Sequence, residues 1–480
     1  MADITFVNLN MLYVRYADSY DKELHLPLGL LYLTRVLEDA GYEVDFRDYQ
    51  RTSAEDPFDL DALVEFCADP APIVGLSCMA NLLPFTILAA RKLKERYPDK
   101  TVVLGGVGAK AVETTVLERF PWIDVIAHGE AERAIVPLVE ALSNGGDLSR
   151  VPGVFYRDDD GVRCNPPPER IAALDDIPFP AHHHAELAAY DAYGMVTSRG
   201  CPYKCTFCSV APVWNHESHY RSSQNVVDEM RDLHERAGVE LFLFQDEFFA
   251  CSKAKVLRFC EALEKAKLPA KWKAFARVNL ADRETMEAMA RSGCIEIRFG
   301  IESASSRVLE ETEKGFDPEE AVAAVSQATQ IFPRVDTFFI WGFPRETMED
   351  FHKSLFQMIA FRLMGARILP SLLCLLPQTK LYKTLTAEEL GRLEFCGELL
   401  PEYMITGHEV CTVGKVSVEG RHRPIFDFVR EHPDLFPGFF LIDVEDNIRP
   451  KLRVLQEHGF YTRESRELSD LDSCGAHSPR

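Results

Sequence analysis

No uninterrupted apolar run in these 480 residues approaches the ~18 that a membrane-spanning helix needs, so no membrane span is expected. No secretory leader is expected either: the start, MADITFVNLN, has an acidic residue where a signal peptide would be positive, and it reads as a strand. Basic residues are scarce, with 53 Lys and Arg against 75 Asp and Glu and a formal net charge of -22. That balance argues against wholesale binding to a nucleic-acid backbone, which needs clustered Lys and Arg, while leaving room for a local basic groove. The 13 cysteines are odd in number and show no regular pairing. They point to a reducing compartment, the cytoplasm, rather than to a disulfide framework. No Ser-His-Asp or Cys-His constellation stands out either, and no catalytic side chain is assigned. At 46% hydrophobic the chain can bury large cores, and its length suggests about three domains.

Against these absences stands Cys201-Pro-Tyr-Lys-Cys205-Thr-Phe-Cys208, with a C-x3-C-x2-C spacing. It follows a predicted strand, Tyr193 to Thr197, and a turn at Arg199-Gly200. A loop this tight presents every sulfur to one side, which suits thiolates that share one metal centre. Iron–sulfur clusters are usually held by four cysteines, so a local trio would leave one iron of a four-iron cluster open to another ligand. The same residues also read as buried core cysteines or as a zinc loop, although zinc usually takes four ligands in paired spacings.

The run SRGCPYKCTFCS resembles the cluster loop of radical S-adenosylmethionine (SAM) enzymes. The resemblance implies a [4Fe-4S] cluster on Cys201, Cys205 and Cys208, with SAM on the open iron through its amino and carboxylate groups. It also implies that Phe207, just before the third cysteine, lies near the adenine.

Residues 1–150 alternate short apolar runs with helical stretches. Predicted strands are Ile4–Leu9, Val44–Asp48, Ile73–Cys78, Thr101–Leu104 and Trp122–Ala127; predicted helices include Leu28–Ala40, Pro84–Arg96 and Ala131–Leu142. Such alternation indicates a doubly wound, Rossmann-like parallel sheet whose ligand sits beyond the carboxyl ends of the strands. By itself, a glycine turn after a strand serves the turn more often than a cofactor. Beside the cysteine loop, however, the segments LPLGLLYLTRVLEDAGYEV, VGLSCMAN, VVLGGVGA and IAHGEAE resemble the cobalamin-binding domain that precedes many radical SAM barrels. The resemblance carries cobalamin contact to Ser77, Gly105, Gly106, Gly108, Gly129 and Glu130. The D-x-H-x-x-G motif that supplies a cobalt-binding histidine in other cobalamin proteins is absent. His25 and His128 lack that context and read as loop residues, so cobalamin is expected without a histidine on cobalt.

Residues 151–192 read as a linker rich in Pro, Asp and turn residues, with a hairpin around Asp158-Asp-Asp-Gly161. His182-His-His184 within it could bind metal, but it reads as a polar cap at a domain entrance, because three adjacent side chains do not all face one ligand site. Residues 193–377 repeat strand and helix in a pattern consistent with a partial (β/α)6 barrel, whose active site would lie at the carboxyl ends of its strands. The segments FQDEFF, FARVN, GIES and WGFP resemble the family's strand-end segments around SAM. They imply SAM contacts at Asp246, Arg277, Glu302, Ser303 and Gly342. Asp246 and Glu247 could also be read as an acid–base pair, but neighbouring strand residues point to opposite faces, so only one should face the cavity.

Residues 378–480 are the least informative. Gln378 replaces the glycine usual where the family's chain leaves the barrel. Ala387–Phe395 and Ile425–Glu431 look helical, Phe436, Phe439 and Phe440 are expected on the barrel mouth, and the region is expected to cover the substrate. Its last dozen or so residues, with Cys474, read as a mobile tail. The resemblance as a whole implies a cobalamin-dependent radical SAM enzyme that methylates an unactivated carbon of a small metabolite, peptide or lipid. It would do so through a 5′-deoxyadenosyl radical and methylcobalamin, with an electron donor such as flavodoxin or ferredoxin. Rearrangement, cyclisation or oxidation with the same cofactors is the alternative. A non-catalytic cobalamin or iron–sulfur carrier fits a full barrel poorly. A tRNA methylthiotransferase would need extra N-terminal cluster cysteines and a basic C-terminal domain, and the sequence has neither.

Overall fold

The computed structural model describes residues 2–9, 12–15, 19–22, 24–190, 193–249, 252–397, 399–401, 403–404 and 422–460. Its first sheet has seven strands in the spatial order Val44–Asp48, Ile4–Asn8, Ile73–Ser77, Thr101–Gly105, Val125–Ala127, Val154–Asp158 and Gly161–Cys164. The first five are parallel and take the flavodoxin-like order 2-1-3-4-5. Ile4–Asn8 and Ile73–Ser77 are buried at every position, as strands covered by helices on both faces must be. The strand order reverses between these two, so the crevice for a ligand lies beyond their carboxyl ends.

The sheet does not stop at residue 150, where the linker was expected to begin. Val154–Asp158 pairs antiparallel with Val125–Ala127, and the predicted hairpin at Asp158–Gly161 adds Gly161–Cys164 outside it. An edge strand left bare would expose unpaired backbone groups, and the hairpin covers that edge.

The second sheet has six parallel strands in chain order: Tyr193–Met195, Leu241–Phe244, Lys271–Ala276, Cys294–Glu302, Arg334–Trp341 and Arg367–Leu372. No hydrogen-bonded pairing joins its first and last strands among the described residues, so the barrel is partial. The helices between the strands start where side chains cap them. Ser222 accepts from Asn225 N at 3.2 Å before Ser223–Ala237, and Asp317 with Glu320 forms a capping box before Pro318–Ile331. Trp272, fully buried, stacks on Phe244 with ring centroids 5.2 Å apart, at the centre of the core between sheet and helices.

The C-terminal region departs from expectation in two ways. Ala387–Phe395 is not one helix. A short helix, Ala387–Gly391, gives way to the strand Leu393–Phe395, which pairs antiparallel with Phe440–Ile442. That partner is some fifty residues away, beyond the reach of local periodicity. Phe436, Phe439 and Phe440 do not cap the barrel mouth but join the core of the first sheet, while Leu441, Val444, Ile448 and Leu455 join the barrel core. The region therefore wedges into both halves. The predicted mobile tail and Cys474 lie outside the described residues. Among the described residues no helix is long and apolar enough to cross a membrane.

Candidate active site

The three cysteines follow the first barrel strand at its carboxyl end. Gly200 takes φ +92°, and a Cβ there would run into the Glu217 carbonyl, so the turn into the loop requires glycine. Beyond it, Cys208 N donates to Cys205 O at 3.1 Å, Thr206 N to Thr312 O at 3.0 Å, and Leu381 N to Thr206 O at 2.7 Å. The chain leaving the barrel near Gln378 thus holds the cysteine loop from behind. Burial pushes the Cys201 thiol up, and the nearby Arg277 and Lys314 favour its thiolate. The three sulfurs do not all come within 4.8 Å of one another, as the ligands of a single ion would. This spread disfavours the zinc reading and leaves room for a cluster of several irons. Thr206 Oγ1, between two of the cysteines, and Arg277 Nε are buried without a hydrogen-bond partner, as groups awaiting a ligand would be.

The predicted SAM-contact residues divide. Arg277 lies against the loop, with Nη1 3.5 Å from Cys205 Sγ, Nη2 on the Lys314 carbonyl, and the guanidinium 3.6 Å from the centre of the Tyr203 ring. Phe207 packs edge-on against Phe343, centroids 6.0 Å apart, with Lys314 Nζ 5.7 Å from its ring centre. Glu302 ends its strand at φ +69° and pairs with Lys314 Nζ at 2.7 Å. Gly342, at φ +83°, donates its N–H to Glu346 at 2.9 Å, and a Cβ there would meet Ile448 at 2.8 Å.

Ser303 makes its own bonds within the fold. A register shift between Gly300 and Glu302 turns it into the helix packing, where it shares a 3.0 Å hydrogen bond with Ser354 and accepts from Ser305 N at 3.1 Å. Asp246 and Glu247 are held in place too. Both carboxylates serve the cysteine loop: Asp246 accepts from Thr197 N at 2.6 Å and from the Thr197 and Ser198 hydroxyls, and Glu247 accepts from Gly200 N at 2.9 Å and Trp214 Nε1 at 2.6 Å. Their strand ends at Phe244, so strand alternation does not govern them. Burial raises the Asp246 carboxyl to about 6.

Sequence reading missed the buried cations. Lys314 is one, and Lys451 is another, 2.8 Å from Glu346 behind Gly342. Burial raises the Glu346 carboxyl and lowers the Lys451 ammonium, so each moves toward its neutral form. The resemblance of WGFP points to a strand end but not to a partner a hundred residues downstream.

On the first sheet, Ser77, Gly105 and Asn8 lie in register across the carboxyl edge. A Cβ on Gly105 would meet nothing nearer than Leu76 O at 3.9 Å, whereas one on Gly108 would sit 2.6 Å from Cys78 Sγ. Gly106, at φ +84°, abuts the Cys78 backbone. Gly106 and Gly108 are therefore required by loop-on-loop packing, and open space is found at Gly105. Gly129 turns at φ +83°. Glu130 is held by three donors, Arg170 Nε at 2.9 Å, Ile171 N at 2.9 Å and Arg199 Nη1 at 3.1 Å, which reach both its oxygens. His128 contacts the Asn165 carbonyl at 3.4 Å and packs on Phe155, which fits its reading as a loop residue.

Arg199 stands two residues before Cys201 and also reaches Glu132 at 2.6 Å. The loop that follows Val125–Ala127 is thereby clasped to the root of the cysteine loop, and the carboxyl edges of the two sheets meet.

Two family profiles match this arrangement: the B12 binding domain over residues 20–139 and the Radical SAM superfamily over 195–358. A protein of Pyrococcus horikoshii named as an uncharacterized methyltransferase is 31% identical over 329 residues, which cover 68% of this chain and 71% of that protein. The chain is a cobalamin-dependent radical SAM enzyme. An anaerobic magnesium-protoporphyrin IX monomethyl ester cyclase of Cereibacter sphaeroides is 30% identical, covering 68% of this chain and 55% of the cyclase. The radical SAM methyltransferase TsrM of Kitasatospora setae, solved with cobalamin and a [4Fe-4S] cluster, shares the fold: TM-score 0.66 at 20% identity, over 83% of this chain and 77% of that one.

The radical SAM barrel and the cobalamin-binding sheet thus bring to one seam a spread trio of thiols, orphaned donors beside it, and an open strand end at Gly105. These features fit the cofactors of the family.

Proposed function

We infer that this cobalamin-dependent radical SAM enzyme methylates an unactivated carbon of a small metabolite, peptide or lipid. The observation that supports this is the Arg199–Glu130 clasp, which sets the crevice of the cobalamin-binding sheet beside the cysteine loop. In this reading Cys201, Cys205 and Cys208 hold the cluster, and Arg277, Phe207, Glu302 and Gly342 surround SAM. Ser77, Gly105 and Gly129 border the corrinoid. Bound there, the cluster would supply an electron for the reductive cleavage of SAM, and the corrinoid would supply the methyl group.

The chain's own residues bind, orient and exclude water. Arg277 faces Cys205, and Phe207 with Phe343 presents an apolar wall to an adenine. The core aromatics of the C-terminal region seal the seam from the side of the first sheet, which protects a radical from solvent. No nucleophilic side chain is needed for a substrate carbon that reacts as a radical. Electrons would come from a flavodoxin or ferredoxin in a cytoplasmic setting.

Anaerobic reconstitution with cobalamin and SAM, followed by product analysis against candidate metabolites, tests the reading. Methylation gives S-adenosylhomocysteine and 5′-deoxyadenosine in comparable amounts. Deoxyadenosine without adenosylhomocysteine would reject methylation in favour of a ring-forming or oxidative reaction, the reading that similarity to the cyclase favours.

A further inference from the structure

The triple histidine that the sequence suggested was a polar cap makes a more specific arrangement in the fold. His182–His184 form one 3-10 turn. His182 points inward, buried, with Nε2 3.2 Å from Glu229 on the first barrel helix. His183 and His184 point the other way, and both bring Nε2 to the same atom, Glu38 Oε1, at 3.1 and 2.6 Å. Two of three adjacent side chains can face one point because the turn is tight, with His184 N bonded to Ala181 O at 3.0 Å.

We propose that Glu38, His183 and His184 form a site for a borderline divalent transition-metal ion of the zinc class, separate from the cysteine loop. Their three ligand atoms lie within 4.8 Å of one another, and among the described residues no other His, Cys, Asp or Glu group converges so closely. Zinc takes imidazole nitrogen and carboxylate oxygen at about 2.0–2.2 Å, so ligand atoms around it stand somewhat over 3 Å apart. Small side-chain rotations therefore admit the ion, and the proton held between imidazole and carboxylate passes to water. Two imidazoles with one carboxylate select a borderline metal over calcium or magnesium, which prefer all-oxygen shells. The side chain of His183 is 54% exposed, which leaves the remaining coordination positions to water.

The frame is fixed before any ion arrives. Ala181 N donates to Leu31 O at 3.0 Å, tying the turn to the helix Leu28–Asp39 that carries Glu38, and the His184 ring packs edge-on against Phe46 with centroids 6.1 Å apart. Glu38 sits in the last turn of that helix, just before Val44–Asp48 begins. It therefore lies toward the amino end of the parallel strands, opposite the cofactor edge, so the ion would act as a staple. It would join the cobalamin-binding sheet to the segment that enters the barrel, whose next side chain, His182, is anchored to a barrel helix.

The test uses protein already carrying its iron–sulfur cluster and cobalamin, so that the cysteines are occupied. Zn2+ is titrated anaerobically, unbound ion is removed on a chelating resin, and zinc, iron and cobalt are counted per chain while thermal unfolding is followed. One zinc should be retained with a rise in melting temperature. His183→Ala, an exposed change that leaves the fold intact, should weaken zinc binding at least about a hundredfold, beyond the loss typical of outer-shell changes. Glu38→Ala should do the same, and iron and cobalt should stay at wild-type levels in both. Failure of the wild-type protein to retain zinc, or equal retention by both variants, would overturn the site whatever the enzyme's activity proves to be.

Discussion

Arg277 Nη1 lies 3.5 Å from Cys205 Sγ, with the rest of the guanidinium held over the Tyr203 ring and on the Lys314 carbonyl. A fixed cation beside one cysteine sulfur stabilises added negative charge there, and hydrogen bonds to sulfur tune cluster potentials. In Arg277→Ala the cluster should still assemble, at a lower midpoint potential. SAM cleavage should slow about tenfold, the equivalent of one charge-assisted hydrogen bond of about 1.5 kcal/mol. A redox titration followed by electron paramagnetic resonance reads this directly; an unmoved potential would remove Arg277 from the cluster's environment.

Glu130 accepts from Arg170, Arg199 and the Ile171 amide at the seam between the sheets. Removing it leaves Arg170 with backbone carbonyls alone and Arg199 with Glu132 as its one remaining carboxylate, both in a buried setting. Glu130→Ala should destabilise the protein by about 3 kcal/mol in denaturant unfolding. Glu130→Gln, which keeps the shape, should retain full cobalamin stoichiometry. Loss of cobalamin from a stably folded Glu130→Gln would tie Glu130 to the corrinoid directly.

Gly105 faces open space, whereas Gly106 and Gly108 abut Cys78. Gly105→Leu should therefore fold with an unchanged melting temperature and bind cobalamin at least about tenfold more weakly, since overfilling a fitted site costs about 1–3 kcal/mol. Gly106→Leu should lose cobalamin and stability together. Equal cobalamin affinity in Gly105→Leu would move the corrinoid away from that strand end.

Much of this was legible in the chain. Helix Leu28–Asp39 lies within one residue of the bounds its periodicity gives, because an amphipathic face is a local signal. The cysteine spacing is equally local. Pairings over long distances were not legible. The turn at Asp158–Gly161 was visible, but its attachment to the edge at Val125–Ala127 depends on which strand is left bare. The resemblance of GIES points to Ser303, but nothing in those four letters announces the register shift or the Ser354 partner. The resemblance of HGE points to Glu130, but it does not announce the partners Arg170 and Arg199, forty and sixty-nine residues away.

Asp246 offers a pH test. Its carboxyl is raised from an ordinary 3.8 to about 6 by burial, so the fold favours the protonated form. The stability this contributes is complete below the unfolded value and is lost as pH rises through about 6. Asp246→Asn has no such titration. The unfolding free energy of wild type minus that of Asp246→Asn should therefore increase as pH falls from 7.5 to 5, measured in denaturant at each pH. A flat difference would mean that the donors from Thr197 and Ser198 hold the carboxyl near its ordinary value.

The vacant iron coordination position can be watched directly, by Mössbauer spectroscopy of anaerobically reconstituted protein with and without SAM. Ligation by Cys201, Cys205 and Cys208 alone should give four irons per chain, with one whose isomer shift moves when SAM is added, and Cys205→Ala should abolish both. Four irons that ignore SAM, or a cluster that survives in Cys205→Ala, would contradict it.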